Sequence, residues 1–121
     1  MPRTDVLIYQ EDDGTCPLTY WLDDLPPKAQ EKCIVRIERL AEKGHELRRP
    51  EAAYLRDKIY ELRAALQGTQ YRILYFFSEK RCIITHGFIK EGNEVPPKEI
   101  SLAVTRKAMF EDNPMKHTVR G

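Results

Sequence analysis

The feature that most restricts the fold of this chain is the segment 71–77, which reads YRILYFF. Aromatic and β-branched side chains occupy most positions, and this composition favours a β-strand. Because apolar residues do not alternate with polar ones, we predict a strand that is buried on both faces. The segment is far shorter than the roughly 20 apolar residues that cross a membrane as a helix. The rest of the chain must therefore supply neighbouring strands and covering helices.

Two flanking segments have the pattern of neighbouring strands. In residues 59–66, apolar side chains alternate with the polar pair Glu61 and Arg63, so this pair shares one face. Residues 82–90 form a third strand segment of similar length. The spacers between the three segments are short and contain turn-forming residues, so we predict antiparallel hairpins.

Helical periodicity precedes and follows these strands. We predict a short helix from Pro17 to Leu22, ended before Pro26, and a longer helix after it. The apolar stripe of the longer helix consists of Ala29, Cys33, Ile37, Leu40 and Ala41, widened by Ile34. A last helix is expected to begin after Pro96 and Pro97.

The predicted order of elements is strand, two helices, three strands, helix, with the first strand at residues 6–9. This order is typical of an α+β protein: one antiparallel sheet with an N-terminal helical hairpin and a C-terminal helix packed against it. We expect residues 1–121 to form a single domain, since the chain is too short for two cores. The tail from about residue 112 is predicted to be flexible.

Composition limits the classes of function. Cys16, Cys33 and Cys82 are odd in number and widely spaced, so we interpret them as reduced apolar side chains rather than as disulfides or a zinc site. The histidines lack ligand spacing and no glycine-rich phosphate loop is present, so we predict neither a metal nor a cofactor. The first residues lack the layout of a secretory signal. We therefore expect a cytoplasmic protein with no membrane partner.

Cationic residues inside the predicted sheet are the strongest chemical signal. Arg72 interrupts the central strand, where an unpaired charge would be costly, and Arg63 lies on the strand before it. His86, Phe88 and Lys90 share a parity on the third strand, so we predict that they point to the same face. Arg106 and Lys107 follow on the last helix.

Fixed cations beside aromatic rings are suited to binding single-stranded RNA. Arginine contacts phosphate through two donors, and aromatic rings stack on unpaired bases. RNA also carries its own nucleophile, the 2′-hydroxyl. An enzyme without a metal then needs only to orient this group, stabilise the phosphorane and protonate the leaving oxygen.

Each of these residues also has a purely structural interpretation. Arg63 or Arg72 could form an ion pair with Glu61 or Glu99. His86 could be a hydrogen-bonded strand histidine, Lys90 a solvated strand end, and the aromatic residues 75–77 core. Only the combination suggests a site.

Four segments, in the right order and spacing, resemble HigB-like, phage-related toxins of the RelE/ParE superfamily. The family patterns are L-x-D-G-L-Y-E-L-R, Y-R-I-L-Y-F, H-G-F-x-K and P-x-x-E-I-x-x-A-x-x-R. The matching segments here are 55–63, 71–77, 86–90 and 97–106. The resemblance extends from about residue 6 to residue 110, nearly the whole chain.

This resemblance implies a RelE-like fold and a metal-independent endoribonuclease that cuts mRNA, often on the ribosome. It also implies neutralisation by a helix-turn-helix antitoxin within a toxin–antitoxin hetero-oligomer. By residue, Arg63 and Arg72 would stabilise the scissile phosphate, and His86 and Lys90 would transfer protons or neutralise charge. The residues expected to contact RNA outside the reaction centre are Tyr75, Phe88 and Arg106, although Arg106 could instead anchor the last helix through Glu99 or Glu61.

Two departures from the family pattern and two rival interpretations remain open. Val95 replaces the threonine often found before the proline, which removes a capping oxygen from the last helix. Lys58 stands where the family commonly has glycine, which is tolerable if the turn does not need a positive φ. The chain could instead be a ParE-like toxin that inhibits DNA gyrase without cutting RNA, although such a binder has no need for the cationic residues. It could also be an inactive relic that only binds antitoxin.

Overall fold

Six strands and three α-helices make up the part of the chain that the computed structural model describes, residues 3–120. The strands are β1 (Asp5–Tyr9), β2 (Ala52–Arg56), β3 (Ile59–Leu66), β4 (Thr69–Ser78), β5 (Arg81–Lys90) and β6 (Thr118–Arg120). The helices are α1 (Pro17–Asp23), α2 (Pro27–Lys43) and α3 (Pro97–Asp112), and a 3₁₀ turn, Gly44–Glu46, follows α2. The predicted α+β class is confirmed.

All six strands belong to one sheet, in the order β2-β3-β4-β5-β1-β6. The pairs β3–β4 and β4–β5 are antiparallel, as the short spacers predicted. β1 pairs with β5 in the parallel direction, so the sheet is mixed rather than wholly antiparallel. The prediction did not include β2 and β6, the two strands at the edges of the sheet.

β4 lies inside the sheet and divides the core into two layers. Its residues 71–76 are all buried, which confirms the prediction from the apolar run. Tyr71, Ile73 and Tyr75 belong to the layer under α1 and α2, whereas Leu74 and Phe76 belong to the layer under α3. Each fully buried side chain of this size contributes about 1.5–3 kcal/mol.

The apolar stripe of α2 is narrower than predicted. Ala29, Cys33 and Leu40 are completely buried. Ile34 is 43% exposed, so the prediction that it widens the stripe was wrong. Positions 29, 33 and 40 lie on one helical face, and only this face meets the sheet. Burial raises the pKa of the Cys33 thiol to about 11, which keeps it a neutral core residue.

A bulge at Thr85 sets the orientation of the second half of β5. Leu74 pairs with His86 and Tyr75 pairs with Ile84, which leaves Thr85 as an extra residue without a partner across the strand. Before the bulge, Cys82 and Ile84 point to the α1–α2 layer. After it the alternation is reversed, so the side chains of residues 86 and 88 point to α3.

Gly87 occupies the other face of the same segment. A β-carbon at this position would lie 2.3 Å from the Trp21 indole of α1, far inside van der Waals contact. The absence of a side chain therefore lets α1 approach β5 closely.

The turn between β2 and β3 requires the backbone conformation that glycine prefers. Asp57 and Lys58 have φ values of 52° and 68°. The condition under which Lys58 was expected to be tolerated is therefore not met. A left-handed residue other than glycine costs about 1–2 kcal/mol.

The described part of the C-terminal tail packs against β1, and the flexibility expected from about residue 112 stays a prediction. β6 pairs with β1, and His117 is 3% exposed. The His117 ring stacks on Tyr9 at 5.5 Å between centroids, and its Nδ1 donates to the Gln10 carbonyl over 2.9 Å. These contacts give the tail a buried anchor that its polar composition does not reveal. None of the described helices has the length and apolar content needed to cross a membrane.

Candidate functional site

The register of β3, β4 and β5 places the predicted cationic residues on the sheet face under α3. Arg63 pairs with Arg72, and Arg72 pairs with Phe88. Lys90 and His86 are each two positions from Phe88 along β5, on either side of it, and on the same face. The four residues predicted to be catalytic therefore lie on one face of the sheet.

A single carboxylate, Glu61, joins the two arginines. Its Oε2 lies 3.1 Å from Arg63 Nη2, and its Oε1 lies 3.0 Å from Arg72 Nε. The second contact has the distance of an ion pair but not the alignment of a hydrogen bond. Alternation along β3 turns Glu61 and Arg63 to the same face, and cross-strand pairing adds Arg72. The ion pair considered from sequence for both arginines is therefore confirmed.

Arg72 and Glu61 are almost completely buried, at 6% and 3% exposure. Burial lowers the pKa of Arg72, Glu61 opposes this effect, and the neighbouring Arg63 adds to it. Arginine nevertheless stays protonated at neutral pH. Arg63 is more accessible, because 27% of its side chain is exposed. An anion arriving from solvent would therefore meet Arg63 before Arg72.

Lys90 and Gln70 extend this face beyond the arginines. They are paired across β4 and β5, and Gln70 Oε1 accepts a hydrogen bond from Arg72 Nη1 over 3.4 Å. The Lys90 ammonium donates to the Gly92 carbonyl over 3.2 Å and has no carboxylate partner within residues 3–120. Gln70 was not predicted, although its two-residue offset from Arg72 could have indicated a shared face.

His86 is 5% exposed and is held between two side chains. Its Nε2 lies 3.0 Å from Glu99 Oε1 on α3, and its Nδ1 lies 3.0 Å from Thr85 Oγ1. Burial lowers the pKa of His86, Arg106 lowers it further, and Glu99 raises it. A neutral ring facing a carboxylate carries its proton on Nε2 and donates it to Glu99, and the Thr85 hydroxyl lies within hydrogen-bond distance of both Nδ1 and the Leu74 carbonyl. In this position His86 holds the first turn of α3 against β5, and it does not meet solvent.

Stability should depend on pH through His86. The folded-state pKa lies below the unfolded value of 6.5, so below that pH the unfolded chain binds protons more readily. We expect the free energy of unfolding to fall as the pH decreases from about 7.5 to 5.5, and His86→Gln to reduce this fall. Urea unfolding at several pH values would measure it, with His45→Gln, an exposed histidine, as the control. An equal fall in parent and His86→Gln would contradict this assignment.

The roles predicted for Tyr75 and Phe88 do not agree with their positions. Tyr75 is 1% exposed and lies on the opposite face of the sheet, stacked on Tyr60 at 5.4 Å. Burial also raises the pKa of its phenol. Phe88 lies beside Arg72 on the α3 face, but it is 8% exposed and packed in the core. Neither ring offers a free face for a base.

Arg106 lies on α3 but does not reach the central pair of arginines. Its Nη2 lies 3.3 Å from Glu11 Oε2, and its guanidinium lies 5.7 Å from the centre of the Tyr9 ring. The anchoring partners proposed from sequence, Glu99 and Glu61, were therefore wrong, although anchoring itself is confirmed. Arg106 fixes α3 to the β1 end of the sheet.

The arrangement as a whole can bind an anion at the exposed side of the arginines. Arg63, Arg72 and Lys90 carry three positive charges against one on Glu61, which leaves a net charge of +2. A fixed carboxylate between two guanidinium groups keeps both in place before a ligand binds. Among residues 3–120, no three His, Cys, Asp or Glu side chains are grouped so that they could hold a metal ion.

Comparison with known families assigns most of the chain to a described family. The sequence profile described as "Phage derived protein Gp49-like (DUF891)" matches residues 20–108, well over half of the chain. This range contains the second half of α1, all of α2 and all four strands from β2 to β5, together with most of α3. A search of curated proteins found no match.

Proposed function

The chain belongs to the phage-derived Gp49-like family, whose members are RelE-type, toxin-like proteins, and from this premise we propose that it is a toxin that cleaves mRNA. In this proposal it is the toxin of a type II toxin–antitoxin system, inhibiting translation and growth. The HigB-like assignment, the action on ribosome-bound mRNA and the cytoplasmic location rest on the resemblance of residues 55–106 to those toxins. A helix-turn-helix antitoxin is the expected partner.

The observation that carries the proposal is the arginine pair on one buried carboxylate. Glu61 holds two cations, Arg63 and Arg72, and Arg72 is only 6% exposed, whereas the two arginines on Glu51 are 33% and 38% exposed. Lys90, which has no carboxylate partner within residues 3–120, lies on the same face. Surplus positive charge in a poorly solvated place is costly unless an anion binds there. A phosphodiester carries one negative charge and is suited to the guanidinium fork.

The cleavage step needs little from the protein beyond these groups. The 2′-oxygen attacks the adjacent phosphorus, the bond from phosphorus to the 5′-oxygen breaks, and a 2′,3′-cyclic phosphate and a 5′-hydroxyl result. Arg63 contacts the phosphate, and Arg72 adds positive charge beside it as the phosphorane forms. Lys90 donates a proton to the leaving 5′-oxygen, and the proton of the 2′-hydroxyl passes to water. His86 is assigned a positioning role through α3 rather than proton transfer, because it is buried and paired with Glu99.

One observation favours the inactive, antitoxin-binding relic as the second candidate. Arg72 and His86 are both nearly inaccessible, at 6% and 5% exposure, and each has a carboxylate partner. A chain that had lost its activity could keep these contacts for stability alone. The two candidates differ in whether RNA is cut.

Primer extension on a reporter mRNA, after brief induction of the protein in cells, tests the proposal. We expect new 5′ ends within the coding region, and their phase relative to codons reports whether cutting follows the ribosome. Growth arrest with intact mRNA would favour the gyrase-inhibiting alternative. Intact mRNA with normal growth would favour the relic.

A further inference from the structure

A second cationic surface lies at the β2 edge of the sheet, on the side of α1 and α2. A cavity of about 720 Å³ opens there between β2, β3 and the segment that follows α2. We call it the β2-edge cavity; its lining residues are His45, Leu47, Arg48, Arg49, Ala52, Ala53, Tyr54 and Tyr60.

The cavity carries positive charge that the protein does not neutralise. Arg48 and Arg49 are exposed, and within residues 3–120 their side chains have neither an ion pair nor a hydrogen bond. No aspartate or glutamate lines the cavity. Arg36 and Arg39 on the nearby α2 differ in this respect, because both contact the carboxylate of Glu51. The two free guanidinium groups are therefore available to an anion from solvent.

An exposed aromatic ring is fixed beside these arginines. Tyr54 is 53% exposed, but its hydroxyl accepts a hydrogen bond from the Lys58 backbone N–H over 3.1 Å. Its ring also meets Tyr60 edge to face at 5.0 Å, and Tyr60 stacks on the buried Tyr75. Ordering a mobile tyrosine on binding would cost free energy, and here that cost is largely avoided. The ring is thus a preformed platform for another flat group.

Free guanidinium groups beside a fixed, exposed ring suit a ligand that alternates phosphates with flat bases. We propose that the β2-edge cavity binds a segment of single-stranded RNA, with a phosphate on Arg48 and Arg49 and a base on Tyr54. An acidic peptide would satisfy the arginines but would leave the ring unused. The inference rests on the proposed function for the identity of RNA as the substrate. It assigns a second contact to the transcript, on the sheet face opposite Arg63 and Arg72.

Fluorescence anisotropy with a labelled 2′-O-methyl RNA dodecamer tests the inference, because this RNA lacks the nucleophile and cannot be cut. We expect Arg48→Ala/Arg49→Ala to weaken binding by about tenfold or more. The slope of log Kd against log salt concentration should also decrease by about 0.7 for each phosphate that the variant no longer neutralises. Tyr54→Leu should weaken binding by about 5-fold to 150-fold, as expected for one stacked base. Both variants change exposed side chains, and circular dichroism would confirm that they fold.

The matched control is Lys28→Ala/Lys32→Ala, which removes the same charge from exposed positions at the start of α2. If this variant weakens binding as much as the arginine variant, or if the parent does not bind the dodecamer, the inference is overturned. It is also overturned if polyglutamate displaces the RNA and Tyr54→Leu has no effect, since the cavity would then be a site for acidic protein. If mRNA is cleaved in cells but Arg48→Ala/Arg49→Ala binds the dodecamer as well as the parent does, this inference is refuted and the proposed function is not. If Arg48→Ala/Arg49→Ala loses binding to the dodecamer but the parent protein cleaves no mRNA in cells, the proposed function is refuted and this inference is not.

Discussion

Arg72→Ala is expected to abolish growth arrest and to reduce mRNA cleavage by about 100-fold to 1,000-fold, the usual effect of removing one stabilising donor in an active site. Arg72 lies beside Arg63 in a buried, poorly solvated position, where its charge acts strongly on a neighbouring phosphate. Its loss also leaves Glu61 to neutralise Arg63 completely. Primer extension and growth curves after induction would measure both effects.

The matched control for this prediction is Arg56→Ala, which removes an exposed arginine from the edge strand β2. It should leave cleavage within about twofold of the parent, since exposed charges are screened by solvent. Arg72→Lys separates charge from shape, because lysine keeps the charge but loses the planar fork. Growth arrest by Arg72→Ala as strong as that of the parent would refute the cleavage assignment.

Glu61→Ala should be the most destabilising substitution at this site, lowering the free energy of unfolding by about 3–5 kcal/mol. The change leaves Arg72 buried, next to the positive charge of Arg63, without the carboxylate that compensates both. Urea unfolding at neutral pH, followed by the fluorescence of Trp21, would measure the loss. Cleavage should fall as well, since neither guanidinium group would then be held in place.

Two further variants make this result specific. Glu51→Ala removes a carboxylate that also holds two arginines, but these arginines are one-third or more exposed. Its cost should be about 1 kcal/mol or less. Glu61→Leu/Arg72→Leu removes the buried charges together, so it should recover most of the lost stability while remaining inactive. A Glu61→Ala variant as stable as Glu51→Ala would contradict the assignment of a buried, compensating carboxylate.

Local patterns were sufficient to predict the central part of the fold. The apolar run at 71–77 identified β4 and its burial, and the alternation in residues 59–66 placed Glu61 and Arg63 on one face. Short turns then determined which strands are neighbours, so Arg63 and Arg72 could be expected to meet. These inferences depend on contacts close in sequence, where the pattern of side chains decides the outcome.

Other features depend on contacts between distant parts of the chain. β6 is only three residues long. Its pairing with β1 is stabilised by the His117 ring, which stacks on Tyr9 of β1. The partner of Arg106 is Glu11, 95 residues away, which no periodicity could indicate. The RNA contact of Tyr75 followed from the resemblance alone, whereas alternation along β4 turns this ring to the other face. Arg48 and Arg49, the free arginines of the β2-edge cavity, belong to no sequence motif that would have indicated a binding site.

The bulge at Thr85 determines which face of the sheet the second half of β5 presents to α3. One residue inserted into a regular strand would turn every later side chain to the other face, whereas the bulge absorbs the extra residue, so His86 and Phe88 stay on the face of Leu74 and Arg72. If β5 instead paired regularly through Thr85, His86 and Lys90 would share the side of Cys82 and Ile84, facing α1 and α2 instead of α3. The face on which His86 and Lys90 lie thus depends on Thr85, a residue that carries no charge. An alignment of relatives by residue type alone would not show this change of face, whereas the pairing of each β5 residue with its partner on β4 would show it.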